Sequence, residues 1–398
     1  MTTPSHSTRW DIVALAIGCG IAASLQVGKV PSALPILRHD LNLGLVGAGW
    51  IASIFNATGA TIGVLAGVVA DRLGRRALLL VGLALLALGS LCGAASPAAA
   101  ALFGSRILEG LGFVAVVVAA PSLIAEAAAA KDQRLALGTW GIYLSTGMGG
   151  MMLLTPPLLG RLGWRGLWLA EALLLVALLP LVAWRTRPAA WSGRPGRPAT
   201  GWADLGHALR RPGPWLLALS FGLYTIQWFA MMNWLPTFLI ERVGLGLGAA
   251  AAASGAVVIV NAPGNLCGAW LLQRGLPRWA LIATAQLVMA AAAQAVFADA
   301  VPAATKIAAA LGFSFLGGLL PAACLSGVPA HARSPAEIGA VNGLLIQGSN
   351  LGTLLGTPAM AALVTWRGGW QQSAWLLLVA GTLGAGVALG VRAVERWR

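Results

Sequence analysis

Long apolar runs alternate with short polar segments along the whole chain. A run of about 20 residues is the length that an α-helix needs to cross the hydrocarbon core of a bilayer. Such runs predict twelve helices, over 12–36, 45–70, 77–95, 98–125, 136–160, 167–184, 214–240, 248–272, 279–298, 302–330, 338–364 and 372–391. The pattern therefore predicts an all-α membrane protein with twelve transmembrane helices.

One polar interruption is much longer than the others and divides the helices into two sets of six. It runs from Arg185 to Pro214 and is rich in Arg, Pro and Gly, which is typical of a flexible linker. The predicted domains are therefore an N-terminal six-helix bundle over 1–184, a basic linker over 185–213 and a C-terminal six-helix bundle over 214–398.

An internal repeat relates the two sets of helices. At an offset of 201 residues, Pro35 matches Pro236 and Pro157 matches Pro358. At an offset of 202, the pentad over 164–168, WRGLW, matches the pentad over 366–370, WRGGW. Proline and tryptophan are rare enough for these matches to carry weight, so the repeat predicts two pseudo-symmetric six-helix bundles.

Composition and charge agree with a membrane protein and set its orientation. Of 398 residues, 58% are hydrophobic and 10% are charged, where a soluble domain has about 25%. The net charge of +14 would suggest nucleic acid in a soluble protein, but here the cations cluster in alternate loops. With both termini in the cytoplasm, eighteen Lys and Arg lie in inside segments and five outside, at Arg38, Arg161, Arg165, Arg242 and Arg367.

Cysteine and histidine suggest neither a disulfide framework nor a metal site. Four cysteines lie inside apolar runs without CxxC spacing, at Cys19, Cys92, Cys267 and Cys324. Four histidines are scattered over tails and loops, at His6, His39, His207 and His331. We therefore expect no metal, no cofactor and no enzymatic activity.

The most specific motif is the decad Gly67 to Arg76, GVVADRLGRR, between the second and third helices. Charge alone would make it a cytoplasmic anchor. An acid followed at fixed spacing by Gly and two Arg is more particular, because the glycines allow close helix approach and the charges can pair. The decad resembles the G-x-x-x-D-R-x-G-R-R loop of the major facilitator superfamily of secondary transporters, through Gly67, Asp71, Arg72, Gly74, Arg75 and Arg76.

This resemblance implies two six-helix halves with the substrate site between them. It also implies a conformational switch in which the loop acid is held at the start of the eleventh helix, near Glu337 to Gly339. Arg75 would pair with Glu126 at the inner end of the fourth helix, and these contacts would lock the outward-open state. The second copy of the loop has Leu272 in place of the acid.

Four ionisable residues fall inside predicted helices, namely Lys29, Arg106, Glu109 and Lys306. Such residues are costly in a membrane and are therefore functional candidates. At an offset of 200, Arg106 maps onto Lys306, and the resemblance places helices one, four, seven and ten around a central cavity. Three cations there predict an anionic substrate. The alternatives are that Arg106 and Glu109 neutralise each other and that the lysines reach the outer surface.

Arg106 to Gly112 also resembles the R-x-x-x-G-x-G motif that the superfamily links to proton coupling. A buried carboxylate one turn from an arginine is a suitable proton carrier, so Glu109 is predicted to carry the proton. Glu171 is predicted to lie at the outer interface instead. The stretch Leu137 to Trp140 loosely resembles the cyanate and nitroimidazole branch of the superfamily, which agrees with an anion.

Neutral side chains complete the predicted substrate site. They are Gln227, Asn233 and Trp234 on the seventh helix and Asn342 and Gln347 on the eleventh, and each could equally be ordinary packing polarity. Together these features predict a monomeric, proton-coupled importer of a small anion in a bacterial inner membrane. The alternatives are a drug or metabolite exporter, a membrane-embedded enzyme and a transporter-like sensor.

Overall fold

The computed structural model describes residues 7–61, 74–187, 202–334 and 337–396, and this part of the chain forms helices without strands. Its main helices are α1 Trp10–Asp40, α2 from Leu45–Ser53 onward, α3 Arg75–Ala94, α4 Ala99–Ala127, α5 and α6 within Leu135–Arg185, α7 Pro212–Glu241, α8 Leu247–Gln273, α9 Arg278–Phe297, α10 Ala303–His331, α11 Glu337–Arg367 and α12 Ser373–Arg396. The predicted all-α fold is therefore confirmed.

Nine of the described helices are long and apolar enough to cross a membrane. One of them, Leu135–Arg185, holds two crossings, because its 51 residues would measure about 75 Å as a straight helix, far more than a bilayer core. Gly163 divides α5 from α6 with a φ of 65°, a conformation that glycine adopts without steric cost. Exposed leucines such as Leu173 on α6 suit contact with lipid tails.

The helices pack in two groups, α1 to α6 and α7 to α12. Within the first group α1 packs on α5 and α6 and α3 packs on α4, while in the second α7 packs on α11 and α9 packs on α12. The groups meet where α2 contacts α11, α5 contacts α8 and α1 contacts α7. Residues 188–201 of the linker lie outside the described residues, so the domain boundaries at 184/185 and 213/214 stay a prediction.

An ion pair joins the two bundles on one face of the molecule. We call the face that carries both described chain ends the terminal face, and the face that carries Asp40 and Glu241 the opposite face. Arg38 of the first bundle pairs with Glu241 of the second at 2.7 Å on the opposite face. On the terminal face, the described ion pairs join helices of one bundle, as Arg75 with Glu126 and Arg211 with Glu337 do. Among the described residues, the ion pair between the bundles therefore lies on the opposite face.

Candidate functional site

Lys29 is the centre of a buried polar network inside the first bundle. Its ammonium donates hydrogen bonds to the Gln26 Oε1, to the Ser90 Oγ at 3.2 Å and to the Glu109 Oε1 at 2.9 Å. These partners lie on α1, α3 and α4, and Lys29 is fully buried. A buried ammonium is costly unless its charge is paired and its N–H groups are bonded, and this network meets both conditions.

Arg106 lies one turn before Glu109 on α4 and shares that carboxylate with Lys29. Its Nη1 donates to the Glu109 Oε2 and, at 3.0 Å, to the backbone oxygen of Gln26. The guanidinium carbon lies 4.5 Å from the centre of the Phe55 ring on α2. The mutual neutralisation of Arg106 and Glu109 is thus present, and Lys29 adds a second cation to the same carboxylate.

Glu171 on α6 supplies a second carboxylate, and its predicted position at the outer interface is wrong. Its Oε2 lies 2.9 Å from the Lys29 Nζ, and its side chain is 4% exposed. Because α6 starts after Gly163, Glu171 lies about 12 Å into the helix, on the side that faces α1. Trp168, one turn earlier, places its ring centre 4.4 Å from the same ammonium. The cluster therefore holds two cations against two carboxylates.

The second bundle carries an uncharged network at a related position. Gln227 on α7 donates to the Gln286 Oε1 on α9 at 2.5 Å, and Gln286 donates to the backbone oxygen of Ser220 at 2.9 Å. Gln227 lies 201 residues after Gln26, the offset that relates the prolines of the two halves. That offset was the sequence signal that could have identified Gln26. The charged chemistry is therefore concentrated in the first bundle.

Lys306 is not brought together with Lys29 and Arg106. It lies one turn into α10, and its Nζ donates to the backbone oxygen of Val296 at 3.1 Å and to that of Ala298. Both oxygens belong to the C-terminal end of α9, where the helix dipole favours a cation. Lys306 therefore caps a neighbouring helix of its own bundle, and its predicted part in substrate binding stays a prediction without support from this placement.

The remaining α7 candidates lie where the bundles touch. Asn233 donates to the Thr357 Oγ1 on α11, and Trp234 donates to the backbone oxygen of the same threonine, both at 2.9 Å. A Cβ built on Gly49 of α2 would lie 3.3 Å from the Trp234 ring and 3.1 Å from Pro358. These side chains therefore close the opposite face rather than line an open space.

Two carboxylates at the opposite face repeat the internal symmetry. Glu241, at the end of α7, accepts from the Trp370 Nε1 at 3.0 Å as well as from Arg38. Asp40, at the end of α1 and 201 residues earlier, accepts from the Trp164 Nε1 at 3.1 Å. Each carboxylate thus fixes the turn between the last two helices of its own bundle, and Glu241 also bridges to the other bundle.

The α11 candidates face the junction between the bundles. Gln347 is half-buried and donates to the backbone oxygen of Ala60 on α2 at 3.0 Å, and Asn342 is half-buried one and a half turns earlier. Among the described residues, no three His, Cys, Asp or Glu side chains come together as a metal site requires.

Comparison with known proteins decides the family. The family model described as Major Facilitator Superfamily matches residues 16–344. The chain belongs to this superfamily. The resemblance seen in the loop motif is confirmed, and so is the conclusion that the protein is a membrane transporter rather than an enzyme. The comparisons do not address the cyanate and nitroimidazole branch.

Similar members of the superfamily differ in their named solutes. A gallate transporter of Pseudomonas putida is 28% identical over 308 residues, which cover 69% of this chain and 68% of that protein. The multidrug resistance protein Stp of Mycobacterium tuberculosis is 32% identical over 161 residues, 39% of this chain and 29% of its own length. A crystal structure of a bacterial homologue of the human lysosomal transporter Spinster gives a TM-score of 0.83 at 15% identity, over 100% of this chain and 99% of that chain. This last likeness shows the fold alone.

Only the last three residues of the superfamily loop motif, Gly74 to Arg76, belong to the described part of the chain. Gly67, Asp71 and Arg72 lie outside the described residues. Gly74 has a φ of 80° at the start of α3, which favours glycine. The structure brings Arg75 and Glu126 together at 2.8 Å.

The last arginine of the motif, Arg76, joins α3 to the end of α6. It donates to the Thr186 Oγ1 at 3.2 Å and to the backbone oxygen of Ala183 at 3.1 Å. These bonds and the Arg75–Glu126 pair hold the terminal ends of α3, α4 and α6 together. The switch function of the superfamily motif stays a prediction.

Helix α5 of the first bundle crosses α8 of the second at close distance near Gly149, and this contact can be tested directly. A Cβ on Gly149 would lie 2.6 Å from the Ile259 Cγ1 and 2.9 Å from the Gly255 oxygen, whereas one on Gly150 would meet nothing within 4 Å. We expect Gly149→Ala to destabilise this arrangement by about 1–3 kcal/mol through overpacking. Thermal unfolding of the purified protein measures it, with Gly150→Ala as the control for helix propensity. Equal midpoints for the two variants would contradict the close crossing.

Proposed function

We propose that the protein takes up a small organic anion together with protons. The observation that carries this proposal is the buried cluster of Lys29, Arg106, Glu109 and Glu171, in which two cations are balanced by two carboxylates. With both carboxylates ionised, the cluster has no net charge to attract an anion. A proton bound by either carboxylate leaves one cation unbalanced, and a bound anion restores the balance. Proton and anion would therefore travel together.

In the proposed cycle, the substrate binds and is released in different conformations. All four side chains are buried in the described arrangement, in which the Arg38–Glu241 pair joins the bundles on the opposite face. Contact of the substrate with Lys29 or Arg106 therefore belongs to the conformation that is open on the opposite face. Closure of that face by Asn233, Trp234 and the Arg38–Glu241 pair would follow, and release would occur toward the terminal face. Each bundle would move largely as a rigid body.

The named solutes of the relatives support an organic anion more than a drug. Gallate is a carboxylate, and the match to the gallate transporter covers about two thirds of both proteins. The match to the multidrug resistance protein Stp favours drug efflux as a second candidate, but it covers 29% of that protein. Efflux of a cationic drug would give no role to two buried cations, so we place it second.

The direction of uptake requires the terminal face to be cytoplasmic, as the distribution of Lys and Arg predicts. We expect a cysteine at position 39, whose native histidine is exposed on the opposite face, to react with a membrane-impermeant maleimide in intact cells. A cysteine at position 210, exposed near the start of α7, should react only after the cells are opened. The background is a variant that lacks the four native cysteines. If position 210 alone were labelled in intact cells, the true topology would be the inverse of the predicted one.

Uptake by reconstituted vesicles tests the proposed function. Purified protein in vesicles should accumulate labelled gallate when the outside is more acidic than the inside, and a protonophore should abolish the accumulation. Galactose, a neutral solute, and ethidium, a cationic drug, serve as comparison solutes. Gradient-driven movement of ethidium without movement of gallate would favour the efflux candidate. Gallate movement that is the same with and without the pH gradient would exclude proton coupling.

A further inference from the structure

The donors of Lys29 are fully used by three neighbours. An ammonium group has three N–H bonds, and these are directed at Gln26, Ser90 and Glu109. The Glu171 Oε2 lies as close to the Nζ as the Glu109 Oε1 does, at 2.9 Å, so it competes with these three acceptors for an N–H bond. Charge is therefore the main attraction that holds Glu171 beside the ammonium.

The two carboxylates of the cluster consequently have opposite environments. Glu109 accepts from Lys29 and Ser90 at one oxygen and from Arg106 at the other. The Oε1 of Glu171 accepts no hydrogen bond from the described part of the chain, and its Oε2 has Lys29 as its one ion-pair partner there. An ionised carboxylate that is buried without donors is costly, whereas the neutral acid is not, because the proton removes the charge. The two groups therefore differ in how readily they take up a proton.

We propose that Glu171, and not Glu109, takes up the transported proton, with Lys29 as the counter-ion that the two carboxylates share. This inference rests on the proposed function, since it names the residue that couples the proton to the anion. A new O–H bond forms at a Glu171 oxygen as an O–H bond of a hydronium ion from the acidic side breaks and releases water, and no bond of the protein breaks. Glu109 stays ionised throughout and holds Arg106 in place.

Every helix that packs around Glu171 contributes to this choice. From α1 it faces Lys29, and from α4 it faces Glu109 and Arg106. On α3, the Ser90 hydroxyl bonds to both Lys29 and Glu109. On α6 itself, Trp168 places its ring against the same ammonium. Once Glu171 is neutral, Lys29 and Arg106 face Glu109 alone, and the cluster carries one net positive charge. That charge is what an anionic substrate would balance.

Infrared spectroscopy of the purified protein can test the assignment without a substrate. Difference spectra between alkaline and acidic buffer report the carbonyl stretch of each carboxyl group that becomes protonated, and a buried group without hydrogen bonds absorbs at a higher frequency than an exposed one. We expect wild-type protein to show one such high-frequency band and Glu171→Gln to lose it. Glu171→Asp, which keeps the carboxyl group, should keep the band at a shifted position. Glu241→Gln, which removes a more exposed carboxyl group, is the matched control and should leave the band unchanged.

Persistence of the band in Glu171→Gln would overturn the inference, and so would its absence from folded wild-type protein. Either result is separate from the fate of the proposed function, because gallate uptake is measured with wild-type protein in another assay. If gallate uptake is proton-driven but the band persists in Glu171→Gln, the transport function stands and another carboxylate takes up the proton. If the band is lost in Glu171→Gln but wild-type protein shows no proton-driven uptake, Glu171 is the group that takes up a proton, and the coupling of that proton to gallate transport is rejected.

Discussion

Lys29→Met is expected to lower the free energy of unfolding by about 3–5 kcal/mol in neutral buffer, because removing one partner of a buried ion pair leaves the other charge uncompensated. Methionine has nearly the same length as lysine, so the loss reflects charge rather than a cavity. Glu109 would still pair with Arg106, but Glu171 would have no cation within contact. Thermal unfolding of the purified variant measures the effect.

The pH dependence of this variant distinguishes charge from packing. Without Lys29, the cluster holds two carboxylates against one cation, so a proton bound in acidic buffer removes the excess charge. The stability lost in neutral buffer should therefore return in part as the pH falls. The double variant Lys29→Met and Glu171→Gln removes one charge of each sign and should recover most of the stability at neutral pH. A double variant as unstable as Lys29→Met alone would show that the loss comes from packing.

Three of the four charged residues of this cluster were predictable from the sequence. Charged residues in long apolar runs are rare, so Lys29, Arg106 and Glu109 could be selected without a structure. The spacing of Arg106 and Glu109 on one helix also allowed their contact to be anticipated. The fold followed from the number of apolar runs and from the loop motif, because bilayer thickness leaves few choices for the length and order of the helices.

Glu171 and Lys306 show what the pattern could not supply. Both lie within a few turns of a helix end, and distance along the chain does not tell which side of the helix faces a partner. Glu171 points toward α1, where Lys29 compensates its charge, whereas Lys306 points toward the end of α9. The pseudo-symmetry that related Arg106 to Lys306 constrains the backbone and leaves the side chains of the two halves free to diverge.

Because the side chains of the two halves differ, we infer that the two bundles have different roles in transport. Gln26 and Gln227 occupy related positions, yet Gln26 bonds to a lysine that two carboxylates share, and Gln227 bonds to another glutamine. The proton and the compensating cations would therefore act in the first bundle. The second bundle would act through its contacts with the first, such as the Arg38–Glu241 pair, which is partly exposed and so contributes about 1 kcal/mol or less.

Glu109→Gln is expected to abolish proton-driven gallate uptake. The amide carries no charge, so Lys29 and Arg106 would face Glu171 as the last carboxylate of the cluster. Two unit charges at 4 Å interact by about 4 kcal/mol at an effective dielectric constant of 20. Lys29, in contact with Glu171, and Arg106, farther away, would therefore hold that carboxylate in its ionised form. A carboxylate that stays ionised cannot carry a proton, and we expect net uptake under a proton gradient to fall at least about tenfold.

Exchange provides the discriminating measurement for Glu109→Gln. Vesicles loaded with unlabelled gallate and placed in labelled gallate at equal pH need no net proton movement, so exchange should fall less than net uptake. Glu395→Gln, which removes a carboxylate that pairs with Arg278 at the terminal face, should keep its proton-driven uptake and serves as the control. Because the two cations in Glu109→Gln still attract an anion, equal losses of exchange and net uptake would mean that Glu109 supports the fold or the substrate site. Full proton-driven uptake by the variant would remove the cluster from the coupling mechanism.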